Sequence, residues 1–289
     1  MAEQKSVLAI YAHPDDEQGV SGTFAKYAKQ GINTALICAT RGEVGEIAPG
    51  VDATPETLGK VREGEMRCAA AKIGLRHLYM LDYRDSGMVG TPENEDKTNL
   101  HQANLMDVAA KVTKIVREQK PQVMITFDAW GGYGHPDHIQ IHKAALIAFF
   151  VAGDARAFPE QLKDGLEPWT PKKLYFNVWA RSRFDSYIEY LTAEGKEIPE
   201  WMQTFGNRAL PEEVITTRVE VAEYAKLKLE SLQCHASQLG PNTIFSQIPE
   251  SVWLSMVKQE TFMLAESRTG RANNETDLFE GITEEEFKP

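Results

Sequence analysis

The sequence predicts an α/β protein: a Rossmann-like, mostly parallel sheet with helices on both faces, extended by a C-terminal strand and helix portion. Three observations predict it. Short apolar runs alternate with longer amphipathic ones over the first two-thirds of the chain, and strand–helix alternation implies right-handed crossovers and a parallel sheet. A charged or imidazole-bearing stretch follows each of the first four runs, as expected where loops open on one edge of such a sheet. At 289 residues and 42% hydrophobic content, the chain can bury a large core.

The elements follow in order. SVLAIYA (6–12) is the first strand, an apolar run short enough for a buried strand. EQGVSGTFAKYAKQ (17–30) carries helical spacing through Val20, Phe24 and Tyr27, with Gly31 as C-terminal cap. NTALICAT (33–40) is the second strand, 55–73 a helix ending at Gly74, and HLYMLDY (77–83) the third strand. The amphipathic stretch 100–119 is a helix stopped by Pro121. QVMITFD (122–128) is the fourth strand, and 136–153 a further helix. Residues 154–171, with three prolines and mixed charge, read as a linker. KKLYFNVWA (172–180) and EVITTRVEV (213–221) then read as strands, and 223–239 as a helix. The expected organisation is a core over 1–153, a portion over 154–267 that completes the same domain and covers the site, and a loose acidic tail over 268–289.

A formal charge of −11 argues against a sequence-independent nucleic-acid binder. Cys38, Cys68 and Cys234 are widely spaced, with no CxxC, so neither a zinc knuckle nor a disulfide framework is expected, and Cys38 and Cys68 read as buried thiols. The N-terminal apolar run turns polar too soon for a signal peptide or membrane span. The expectation is a soluble cytoplasmic protein.

The chemistry gathers after the strands: HPDDE after the first, TRGEVGE after the second, YRDSG after the third and DAWGGYGHPDH after the fourth. HPDD at 13–16 has a near twin, HPDH, at 135–138. HPDD alone reads equally well as a helix start, with Asp15 or Asp16 as a cap, and HPDH alone is a weaker signal still. Together, each after an apolar run, they predict one metal site. His13, Asp16 and His138 make two imidazoles and a carboxylate, a set that suits Zn²⁺ with a position left for water and also accommodates Fe²⁺. Asp15 is then placed as general base. His135 is a candidate acid or oxyanion stabiliser, Asp137 a candidate to orient an imidazole, and Tyr133 a candidate oxyanion donor. GGYG reads as a turn with freedom to move, His142 as a structural residue or one behind the ligands rather than a fourth ligand, His235 as structural with reach of the site as the alternative, and Trp130 and Trp179 as packing residues rather than substrate platforms. These parts point to metal-assisted hydrolysis of an acyl bond.

With YAHPDDE, TRGEVGE, REGEM (62–66), YRDSGM (83–88) and GGYGHPDH on the page, the sequence resembles the PIG-L/LmbE-like deacetylases over about residues 6–150. The resemblance implies a mononuclear zinc hydrolase with ligands His13, Asp16 and His138, Asp15 as base, and His135 and Tyr133 at the oxyanion. It also marks Glu46, Arg62 and Asp85 as sugar-binding. The activity it implies is removal of acetyl from an N-acetylglucosamine-type sugar or glycoside by water on the metal. Alternatives are an amidase on a thiol conjugate or other small acylated metabolite, and a non-catalytic metal- and sugar-binding protein. The implied partners are a small acylated sugar or amide and further copies of the chain, with no nucleic acid and no membrane span.

Overall fold

A computed structural model describes residues 4–199, 202, 206, 208–240, 248–270 and 273–283. Seven strands form one sheet in the order β3-β2-β1-β4-β5-β7-β6. They are β1 Ser6–Tyr11, β2 Asn33–Thr40, β3 His77–Tyr83, β4 Val123–Thr126, β5 Lys173–Asn177, β6 Thr217–Glu220 and β7 Gln259–Ser267. The first five strands run parallel to one another, and β7 is antiparallel to both β5 and β6. The sheet is therefore mostly parallel, with helices on both sides. Every residue of β1 is buried, as befits a central strand covered on both faces.

The helices are α1 Ser21–Lys29, α2 Leu58–Lys72, α3 Leu105–Gln119, a short turn α4 Gly131–Gly134, α5 Pro136–Val151, a single turn α6 Glu160–Lys163 and α7 Arg181–Ala193. Two more span Ala225–Gln233 and Glu250–Met256. α3 packs against α5, while α1 and α2 both pack against the helix Ala225–Gln233. A large core surrounds β1, β2 and β4. A smaller one joins α7 to the two C-terminal helices through Phe184, Tyr187, Leu229 and Trp253.

Four departures from the sequence reading have local causes. The helix expected over 17–30 begins as a 3-10 turn, Asp16–Gly19, and Val20 interrupts it before α1 starts. The stretch 154–171 is no linker. Arg117 is fully buried and donates to the carbonyls of Ala152, Asp154, Ala157 and Phe158 and to Gln161 Oε1, so this loop wraps one guanidinium. Residues 273–283 of the expected loose tail are packed. Glu275 is buried against Lys173 Nζ at 2.5 Å and the Tyr175 hydroxyl at 2.5 Å, and Phe279 meets the Tyr27 ring at 5.4 Å. Residues 271, 272 and 284–289 of that expectation lie outside the described residues.

The fourth departure is a disulfide. Cys68 of α2 is bonded to Cys234, 166 residues away, and Cys38 alone is a free, buried cysteine among the described residues. Sequence spacing carries no trace of this pairing, because it arises from packing α2 against the helix that ends at Gln233.

Candidate active site

The connections leave β1 toward β2 and β3 on one side and toward β4 on the other. The switch point of the sheet thus lies between β1 and β4, where ligands of open α/β sheets bind. HPDDE follows β1 and HPDH follows β4, so topology alone carries the twin tetrapeptides to one place. His13 Nδ1 lies 3.0 Å from His138 Nε2.

Local structure sets each side chain. Asp16 closes the first turn by accepting N–H bonds from Ala12 at 3.2 Å and His13 at 2.7 Å through Oδ2. Its Oδ1 faces His138 Nε2 at 3.3 Å and its Oδ2 faces His13 Nδ1 at 3.5 Å. His135 caps α5, its Nδ1 accepting the Asp137 N–H at 3.2 Å, and Pro136 follows at the first helical position. His138 Nδ1 donates to Gly131 O at 3.0 Å. That approach needs glycine: a Cβ on Gly131 would stand 2.7 Å from His138 Cβ, and the residue has φ +67°. GGYG is therefore less a loose turn than a seat for His138, and Asp128 Oδ1 pins it by accepting N–H bonds from Trp130 and Gly132.

The proton count at the centre is informative. With Nδ1 of His138 donating to a carbonyl, its Nε2 presents a lone pair. His13 Nε2 faces Asp137 Oδ2 at 3.2 Å and Asp85 Oδ1 at 3.4 Å, which leaves Nδ1 to face His138. Two lone pairs at this distance repel unless a positive charge sits between them. Burial disfavours charge on His13, but Asp85, Asp137 and Asp16 together hold its pKa well above the ordinary range. A proton or a metal ion can supply that charge. Donor atoms of His13, His135 and His138 lie within 4.8 Å of one another, and so do those of His13, Asp85, His135 and Asp137. The donor set fits a divalent metal. His13, Asp16 and His138 surround the gap, while Asp85 and Asp137 face the other ring nitrogen of His13.

Asp15 stands beside this cluster in an uncommon backbone conformation, φ 99°. Such positions cluster at functional sites because the surrounding structure must enforce them. Burial raises its carboxyl to about 6, against the opposing pull of Arg62, whose guanidinium lies 3.0 Å from Oδ2. Burial and the neighbouring imidazoles press the His135 pKa down, so the ring is neutral. Because its Nδ1 accepts from Asp137, the ring proton resides on Nε2. Burial, then Asp16, pushes the Tyr133 phenol up, and its ring meets that of His138 edge-on at 5.0 Å.

A cavity of about 320 Å³ opens on the site. Asp15, Asp16, Tyr133 and His138 form its floor, and Trp179, Phe184, Tyr187 and Trp253 contribute an aromatic wall. Trp179, expected from sequence to pack, thus lines the cavity, and Trp130 is 58% exposed. The wall comes from the C-terminal portion, including α7, a helix not expected from the sequence.

The three residues marked by resemblance as sugar-binding sit elsewhere. Arg62 is buried and donates to Pro14 O, Gly42 O and Asp15. Gly42 and Gly45 of the TRGEVGE loop leave room for its guanidinium, since a Cβ on either would fall within 2.6 Å of it. Asp85 accepts from the Gly87 and Val44 N–H groups besides facing His13. Glu46 is exposed, and its carbonyl accepts from Gln238. None of the three lines the 320 Å³ cavity.

Fold and site together define a doubly wound α/β protein with a buried histidine–carboxylate cluster at the switch point, suited to a divalent metal. The chain belongs to the PIG-L, or GlcNAc-PI de-N-acetylase, family, whose model matches residues 8–149. It is 35% identical to the 1D-myo-inositol 2-acetamido-2-deoxy-alpha-D-glucopyranoside deacetylase of Nocardiopsis dassonvillei, over 95% of this chain and all of that one (100%). The deacetylase of the same name from Thermobifida fusca is 33% identical, over 95% of this chain and 99% of its own. Among solved structures, the N,N'-diacetylchitobiose deacetylase of Pyrococcus horikoshii matches with TM-score 0.64 at 20% identity, covering 91% of this chain and 84% of that one. GalB, the 4-carboxy-2-hydroxymuconate hydratase of Pseudomonas putida, matches with TM-score 0.60 at 18% identity, covering 93% and 99%. Deacetylases and a hydratase share this fold, so the fold alone does not fix the reaction.

Proposed function

We propose that the protein is a metal-dependent N-deacetylase that removes acetyl from an N-acetylglucosamine-type glycoside. The observation that carries the proposal is the facing pair His13 and His138, with Asp16 and Asp15 beside them, in a chain 35% identical to a named glycoside deacetylase over nearly its whole length. His13, Asp16 and His138 would hold the ion, zinc by the donor set with Fe²⁺ as rival. A divalent ion held there supplies Lewis acidity to the acyl oxygen and lowers the pKa of a nearby water.

The chain's own residues do the remainder. Asp15, with its carboxyl near 6, accepts a proton from the attacking water at neutral pH and can return it to the leaving amine. His135, neutral and protonated on Nε2, and the phenol of Tyr133 donate toward the developing oxyanion. Asp137 and Asp85 fix the His13 ring. In this reading Arg62 acts on Asp15 rather than on the sugar, and the glycoside lies in the cavity against Trp179 and Tyr187.

The aromatic wall also favours a second substrate class, an amide that carries an apolar group. Release of free amine by zinc-loaded protein decides between them. N-acetylglucosaminides are compared in parallel with acylated thiol-conjugate amides, and silence on every acylated compound favours the non-catalytic metal- and sugar-binding reading. No helix among the described residues is long and apolar enough to cross a membrane. Action in the cytoplasm belongs to the same proposal; the Cys68–Cys234 disulfide stands against it, since thiols there are kept reduced.

A further inference from the structure

His235 lies outside the mechanism above, yet it is fully buried beneath the site. Its Nε2 meets Glu17 Oε1 at 2.7 Å. Glu17, also buried, uses its other oxygen, Oε2, to accept the N–H of Asp15 at 2.9 Å. Among the described residues, Gln18 is the other polar side chain on that carboxylate and donates to Oε1 at 2.7 Å. Asp15 is the residue with φ 99°, a conformation that a side chain other than glycine rarely adopts without external support. The support arrives from two directions: Arg62 grips the Asp15 carboxylate, and Glu17 grips its backbone.

Both arms are fastened to α2. Arg62 belongs to α2 itself. The segment bearing His235 is bonded to α2 at Cys68–Cys234 and by Glu65, which accepts both the N–H and the hydroxyl of Ser237 at 2.7 Å. His235 and Gln238 of CHASQ thus touch the segments that follow β1 and β2, His235 through Glu17 and Gln238 by donating to Glu46 O.

We infer that His235, acting through Glu17, is a positioning residue that holds Asp15 in its catalytic orientation. The inference deepens the proposed mechanism and rests on Asp15 being the general base. His235 touches no substrate. Its removal strips a buried carboxylate of a partner, and Glu17 is then free to release the Asp15 N–H. A base displaced by about 1 Å can cost on the order of a hundredfold in rate.

The test uses zinc-loaded full-length protein and three variants, His235→Ala, His235→Gln and Glu17→Gln, with Asp15→Asn as reference. His235→Ala is expected to lose roughly ten- to a hundredfold in kcat, with KM and bound zinc unchanged. His235→Gln, which keeps an N–H donor at similar reach, is expected to recover most of that loss. A purely structural histidine would instead lower the melting temperature in both variants and leave kcat per folded molecule unchanged. That result overturns the inference, as does a crystal structure of His235→Ala in which Asp15 keeps its φ and its bond to Glu17. Should the variants not fold, amide exchange on the unaltered protein decides: the Asp15 N–H is expected to be strongly protected, and rapid exchange refutes the anchor. The two levels separate cleanly. A silent Asp15→Asn beside a fully active His235→Ala sinks the positioning role alone, whereas a fully active Asp15→Asn sinks the base.

Discussion

His13 Nδ1 and His138 Nε2 face each other at 3.0 Å across a chain separation of 125 residues, each with its other nitrogen committed to an oxygen acceptor. A proton or a metal ion between them would relieve the repulsion of the facing lone pairs. In the protein alone the carboxylates of Asp85, Asp137 and Asp16 favour a proton on His13. A divalent metal competes with that proton for the same gap.

Metal binding is therefore expected to release protons and to tighten as pH rises. Calorimetry of zinc binding in buffers of different ionisation enthalpy measures the proton count. His138→Ala is expected to bind substoichiometric zinc by elemental analysis, and chelator is expected to lower the melting temperature of the unaltered protein but not of the variant. Full zinc occupancy in His138→Ala would remove this residue from the site.

Asp15→Asn is expected to reduce kcat by about a hundredfold or more with zinc retained. Asparagine tolerates positive φ, so the fold should persist. Arg62→Met is expected to move the acidic limb of kcat/KM to higher pH. The guanidinium pulls the Asp15 pKa down against burial, so its loss lets the carboxyl hold its proton longer, and the base form appears later on the pH axis. An unmoved limb in Arg62→Met would show that another group sets it.

Gly131→Ala is expected to destabilise the protein by about 1–3 kcal/mol and to weaken metal binding, because the new Cβ would collide with His138 and φ +67° penalises any side chain. Denaturant unfolding with and without zinc reads both effects. An alanine variant of native stability and affinity would show that the turn has room to spare.

The pair Cys68→Ser and Cys234→Ser, or reduction by dithiothreitol, is expected to cost about 2–5 kcal/mol, since the bond closes a very long loop in the unfolded chain. Equal melting temperatures under oxidising and reducing conditions would show that the bond does not form in solution.

The His235–Glu17 pair gives stability a definite pH dependence. Burial opposes charge on His235, but Glu17 raises its pKa above 6.5, so its stabilisation is complete below that value and lost as pH rises through the raised one. Burial likewise opposes the Glu17 carboxylate, but His235 lowers its pKa below 4.5, so its share is present above that value and lost as pH falls through the lowered one. The stability gap between unaltered protein and His235→Gln should be widest between these two values and narrow toward alkaline pH. Denaturation midpoints compared at acidic and alkaline pH test this, and a gap that widens with pH would contradict it.

Much of this molecule was legible from its residues. β1 to β4 were readable because buried parallel strands are short apolar runs, and α3 and α5 because Pro121 ends one and Pro136 opens the other. HPDDE and HPDH were readable as a pair because polar residues directly after strands have one sheet edge to occupy. β7 was missed although Glu260, Phe262 and Leu264 alternate inward, and the short helix Glu250–Met256 before it went unread for want of strong periodicity. The tail looked loose because composition cannot show that Glu275 meets Lys173 in the core.

What the residues determined alone was local: which segments are strands, which turns carry imidazoles and carboxylates, and what chemistry those groups favour. Tertiary structure decided which groups meet. It set Arg62 against Asp15, joined Cys68 to Cys234, and placed His235 against Glu17. Backbone preference and apolar periodicity act over a few residues and leave a readable trace in sequence. Pairings between elements depend on how whole helices pack, and no short stretch of chain encodes them.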